Sequence, residues 1–147
     1  MRKYSYIAVG GMLGALSRFA IKNSHLISQY KSIPVATLFV NITGSFILAF
    51  FLTLAFKIKR IHVELRLGIA TGFLGAYTTF STLCKETVTF IRNGDYFWAS
   101  GYSIGSAVLG LVAAYLGTIL ASATAIKPIS DNGQHNETKD TNESEGE

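Results

Sequence analysis

The sequence predicts an all-α membrane protein of four transmembrane helices, the third of them broken. Three observations carry that prediction. Of 147 residues, 49% are hydrophobic and 15% charged, with a mean hydropathy of +0.34 despite a polar C-terminal end, which is too apolar for a soluble domain of this size. Lys, Arg, Asp and Glu are missing between Lys31 and Lys57, between Arg66 and Lys85 and between Asp95 and Lys127. Each gap covers a bilayer core, which takes about 20 helical residues. Finally, the third apolar run ends in "GAYTTFSTLCKE", residues 75–86, where a glycine and five hydroxyls precede an adjacent Lys and Glu.

The first span is expected over residues 4–21 and the second over 34–56, where Pro34 suits the first turn of a helix and no charge follows it. The third covers about 65–91 and the fourth about 97–126. Arg2 and Lys3 before an apolar stretch imitate a secretory signal, but no small-residue cleavage pattern follows and Arg18 interrupts the expected place. The four spans form one transmembrane domain, residues 1–126. From Lys127 onward apolar periodicity is lost, and residues 127–147 are expected to be a disordered acidic tail.

Residues 128–147 hold one Lys against six acids, so the net charge of +4 conceals a bundle with 12 basic and 3 acidic side chains. A nucleic-acid partner is not implied, because these cations sit in short loops beside apolar spans. One side collects Arg2, Lys3, Lys57, Lys59, Arg60, Arg66 and Lys127; the other has Lys22, Lys31 and Arg92, with Arg18 and Lys85 deeper in the spans. This bias predicts a multi-pass protein of the cell membrane with both termini in the cytoplasm. Cys84, the single cysteine, reads as a packing residue.

Polar groups inside the spans are the candidates for function. Asn41 at mid-span must face protein or water, either as glue between helices or as part of a path. Small residues at helical spacing, such as Gly10, Gly11 and Gly14, read as close helix contacts. In the third span Gly68, Gly72 and Gly75 precede Thr78, Thr79, Ser81 and Thr82, a poor helix former rich in groups that satisfy a broken backbone. Irregular backbone at that depth is buried or lines a wet cavity, and its freed carbonyls can hold a cation.

"GGMLGALSRF", "PVATLFVNITGSF" and "GFLGAYTTFSTLCKE" together, in this order and at these separations, resemble the CrcB/Fluc family of fluoride channels over about residues 4–122. The resemblance implies a four-helix subunit paired antiparallel with a second subunit around two fluoride pores and a central structural Na+. It makes Asn41 the pore asparagine, Phe80 the first of an ion-lining aromatic pair, and Ser81 and Thr82 the adjacent polar lining. It also makes Tyr102 and Ser106 a polar track on the fourth helix, and Arg18 and Glu86 vestibule residues. The backbone carbonyls of Gly75 and Thr78 are the implied sodium ligands. Two positions depart from the family pattern: Leu83 stands where the second aromatic is usual, and Gly110 where the track often has a third Ser.

Fluoride is small and strongly hydrated, so uncharged donors from Asn, Ser, Thr and Tyr suit it, and the positive edge of a Phe ring can face it. A homodimer inserted in both orientations should show little Lys/Arg bias. The bias and Leu83 together therefore suggest half of a heterodimer whose partner supplies the missing aromatic; a dual-topology homodimer is the alternative. A small multidrug-type exporter would need a carboxylate in an early span, and the first two spans hold no Asp or Glu. A non-conducting assembly subunit is the remaining alternative. An enzyme finds no support, since His25, His62 and His135 lie in loops and tail without the spacing of a metal or catalytic set.

Overall fold

The computed structural model describes residues 2–24, 34–57 and 61–130, and these are helical with short connections. α1 spans Arg2–Asn23 and α2 Val35–Lys57. A helical run then passes through α3 (Val63–Leu67), a π-helical stretch (Gly68–Leu74) and α4 (Gly75–Tyr77). After extended backbone at Thr78 and Thr79 come α5 (Phe80–Arg92) and α6 (Tyr96–Ser130). α6 thus continues past Lys127, where the tail was expected to begin. From 131 on the tail lies outside the described residues, as do Lys31, Lys59, Arg60, His25 and His135.

α2 and Tyr96–Thr124 of α6 are long and apolar enough to cross a membrane. Their burial is one-sided. In α2 the buried residues Thr37, Val40 and Gly44 form a single stripe, and in α6 Tyr102, Ser106, Ala113, Gly117 and Ala121 form another. The outer face of α6 exposes Ile104, Val108, Leu111, Tyr115 and Ile119. Apolar side chains turned outward along a whole helix suit an apolar surrounding rather than water.

Two helix pairs, each parallel, build the subunit. α2 lies along α6, where a Cβ on Gly117 would meet the Phe46 carbonyl at 2.5 Å and the Phe50 nitrogen at 3.1 Å. α1 lies along the π-helical stretch: a Cβ on Gly10 would strike the Gly68 carbonyl, one on Gly14 the Phe73 carbonyl, and one on Gly72 the Ile7 carbonyl at 2.6 Å. The glycines therefore bring two backbones into direct contact, the close approach that small residues permit in helix packing. Val40, Leu74 and Tyr77 form the core between the pairs, with Ile21, Leu48, Ile69 and Phe73 around them.

α5 reverses into α6 through a glycine cap. The Asp95 amide donates to the Phe90 carbonyl at 2.9 Å and the Gly94 amide to the Ile91 carbonyl at 3.1 Å, with Gly94 at φ +83°. This is the Schellman arrangement, which places its C′ residue in the left-handed region. A Cβ on Gly94 would touch nothing, so Gly94→Ala tests the backbone conformation alone. The expected result is a loss of about 1 kcal/mol, read as a lower melting temperature in detergent.

Candidate functional site

The interruption between α4 and α5 organises the site. Two consecutive β-branched threonines form it, and their hydroxyls offer the backbone alternatives to helical bonding. The Thr78 amide and Oγ1 both donate to the Leu74 carbonyl, at 3.0 and 2.9 Å, which closes the last turn. Thr79 is extended (φ −149°, ψ 111°), and its Oγ1 accepts from the Thr82 amide at 3.3 Å, capping α5. Thr79 is only 6% exposed, so its own amide and carbonyl need partners.

Asn41 supplies both. Its Oδ1 accepts from the Thr79 amide at 2.8 Å and its Nδ2 donates to the Thr79 carbonyl at 3.1 Å. One side chain on α2 thus does for the break what a strand neighbour does in a sheet. An amide NH2 carries two donors, and one of Asn41's remains after this clamp.

Beside the clamp opens a groove of about 620 Å³ between α2, α5 and α6. Asn41 and Ser45 line it from α2, Phe80, Leu83 and Thr87 from α5, and Ser106 from α6. Thr87 and Ser103 share a hydroxyl hydrogen bond of 2.9 Å on its wall. Of the residues singled out in the sequence, Asn41, Phe80, Thr78 and Ser106 meet here. Ser81 is exposed, and Thr82 Oγ1 pairs with Thr79 Oγ1 at 2.9 Å. Phe80 is 78% exposed, so its ring stands on the outside of this subunit, available to a second surface.

Glu86 and Tyr102 form a separate knot at one end of the groove. The Tyr102 hydroxyl donates to Glu86 Oε2 at 2.7 Å and Thr37 Oγ1 donates to Oε1 at 2.8 Å. Lys22 Nζ lies 3.8 Å from Oε1. The carboxylate therefore joins α1, α2, α5 and α6. Among the described residues its cation is Lys22, whereas Arg18, one turn earlier on α1 and partly exposed, makes no ion pair. Thr37 escaped the sequence reading and Lys22 was read there only as a loop cation, although the spacing of Thr37, Asn41 and Ser45 along one face of α2 was a signal for the first.

Gly75 and Thr78 were the implied cation ligands. The helical donor to the Gly75 carbonyl would be the Thr79 amide, which goes to Asn41; that to the Thr78 carbonyl would be the Thr82 amide, which goes to Thr79 Oγ1. Both carbonyls lack their helical donors and Gly75 is exposed, so oxygen ligands of the kind a hard cation takes would be available there. Among the described residues no group of three or more His, Cys, Asp or Glu could hold a metal ion.

Comparison with known proteins identifies a family. Residues 5–118 match the family described as "CrcB-like protein, Camphor Resistance (CrcB)". The "Fluoride-specific ion channel FluC" of Opitutus terrae is 45% identical over 125 residues, covering 82% of this chain and 93% of that protein. "Fluoride-specific ion channel FluC 2" of Moorella thermoacetica is 42% identical over 118 residues, covering 80% and 95%. The FluC protein of Dehalococcoides mccartyi strain CBDB1 is 39% identical over 116 residues, covering 79% and 89%.

Proposed function

We infer what this chain does from its membership: the chain belongs to the CrcB-like family, and it is a fluoride-specific ion channel subunit. The observation that carries the reading to particular residues is the Asn41–Thr79 clamp, which holds a helix open beside a groove lined by uncharged donors.

In this reading fluoride moves along the groove past Asn41, Phe80 and Ser106; Ser81 and Thr82, at the start of α5 outside the groove lining, and Tyr102, in the Glu86 knot, are the proposed polar flanks of that path. Asn41 and Ser106 offer N–H and O–H donors in place of water, and no side chain lining the groove carries a fixed positive charge that would hold the ion. The exposed Phe80 ring offers its positive edge where a second subunit closes over it. Arg18 and Glu86 belong to a vestibule in which Lys22 is the partner of the acid.

The released Gly75 and Thr78 carbonyls are the proposed ligands of a structural Na+. Two oxygens from one subunit are too few for such an ion, and an antiparallel second subunit would double them. When bound, the ion supplies charge that ties two interrupted helices together. This chain's own contribution is to keep those carbonyls free of helical donors.

The bundle is read as four membrane spans, with α3 to α5 forming the interrupted third, in the cell membrane with both termini cytoplasmic. The physiological direction is export. Neutral HF crosses membranes and ionises in a more alkaline cytoplasm, and a passive pore lets the membrane potential return the anion.

The partner is proposed to be a different subunit. Leu83 lines the groove where an aromatic is usual, and the other chain would supply that ring. Reconstituted alone in liposomes, this chain is expected to give weak fluoride efflux on a fluoride electrode, and Leu83→Phe to raise it about tenfold, the effect of lowering one barrier by about 1.4 kcal/mol. Strong efflux from the unmodified chain would remove the partner requirement and leave a homodimeric channel. Absence of efflux with every co-expressed four-span partner would favour a non-conducting assembly subunit instead.

A further inference from the structure

We propose that Ser45 is an anion-coordinating residue of the groove, its hydroxyl standing in space where Gly110 leaves the α6 wall without a donor. The inference rests on the fluoride-path reading above and extends it to a residue on the opposite helix.

α2 and α6 run in the same direction and advance together, one turn per rung. Thr37 and Tyr102 meet at the first rung, both bound to Glu86. Asn41 and Ser106 face the groove at the second. The third rung pairs Ser45 with Gly110: a Cβ built on Gly110 would lie 3.6 Å from Ser45 Oγ. On α6 the polar line Tyr102–Ser106 stops at a glycine; on α2 the line Thr37–Asn41–Ser45 continues.

The Ser45 hydroxyl is also uncommitted. Helical hydroxyls nearby fold back onto a carbonyl one turn earlier, as Thr43 does with Phe39 at 2.7 Å and Thr87 with Leu83 at 2.9 Å. Ser45 makes no such bond among the described residues and opens onto the groove. A lone O–H aimed into an apolar-walled cleft forms a strong, charge-assisted bond to a partly dehydrated halide.

The test uses the conducting assembly, chain alone or with its partner, in proteoliposomes read by a fluoride electrode. Ser45→Ala is expected to lower fluoride flux about tenfold, the loss of one hydrogen bond to a charged group, with an unchanged melting temperature. Gly110→Ser in the Ser45→Ala background returns a hydroxyl to the same rung from the facing helix; its Cβ would lie at ordinary contact distance, 3.6 Å, from the oxygen that Ser45→Ala removes. It is expected to restore most of the flux. Flux unchanged in Ser45→Ala overturns the assignment. So does a loss that Gly110→Ser leaves unrepaired, because the serine would then be a packing residue. An unmodified assembly that passes no fluoride overturns the path reading itself and this inference with it.

Discussion

Asn41→Leu is expected to abolish fluoride efflux and to destabilise the fold at the same time. Leucine keeps the shape of the side chain and removes both of its bonds to Thr79, at 2.8 and 3.1 Å. The Thr79 amide and carbonyl stay buried, since their surroundings are packed around a residue only 6% exposed. Each unpaired backbone group costs about 1–3 kcal/mol, so the substitution removes roughly 2–6 kcal/mol if the break persists. The alternative for the chain is to recoil into continuous helix, which would withdraw the Gly75 and Thr78 carbonyls and displace Phe80. The first route leaves an apolar side chain where the groove had a donor, and the second closes the groove. Fluoride-electrode efflux together with thermal unfolding in detergent measures both effects, and full flux from Asn41→Leu would exclude the clamp from the path.

Gly10→Ala is expected to prevent assembly of a stable subunit. The new Cβ would strike the Gly68 carbonyl, and nothing at that contact is the movable end of a side chain. α1 would have to leave the π-helical stretch along its length, since Gly14 meets the Phe73 carbonyl in the same way one turn later. Overpacking of this kind costs roughly 3 kcal/mol or more. Gly11→Ala is the matched control: its Cβ would lie 4.0 Å from the Gly72 carbonyl, an ordinary contact. Size-exclusion yield and melting temperature should collapse for Gly10→Ala and stay near the parent for Gly11→Ala. Equal behaviour of the two variants would contradict the backbone-to-backbone packing.

The helical class was legible because lipid-compatible runs without charge leave few other structures, and the family was legible because three motifs occur in order. The mechanics of the break were not. Asn41 and Thr79 are 38 residues apart, and no local pattern says that an amide on one helix replaces the ladder partners of an extended residue on another. The sequence offered Gly68, Gly72 and Gly75 as weak helix formers. The structure uses Gly68 and Gly72 to admit α1, and that close packing coincides with π-helical winding, a tertiary outcome that propensity cannot encode. Likewise, among the described residues, the cation beside Glu86 is Lys22 rather than Arg18, a choice made by which turn of α1 comes near α5. Phe80 was conspicuous as a residue type, but its outward position depends on where the helix restarts after Thr79.

Every helical segment carries a macrodipole, equivalent to roughly half an elementary charge at each end. At the interruption the negative pole that closes Gly75–Tyr77 and the positive pole that opens Phe80–Arg92 are separated by Thr78 and Thr79 alone. A continuous helix would carry both poles to the aqueous boundaries, where water and salt screen them. Held instead side by side, they give an uncharged stretch of backbone two opposite faces: one that would favour a cation, the other an anion. Because each pole is only a fraction of a charge, neither is strong enough to turn attraction into a trap.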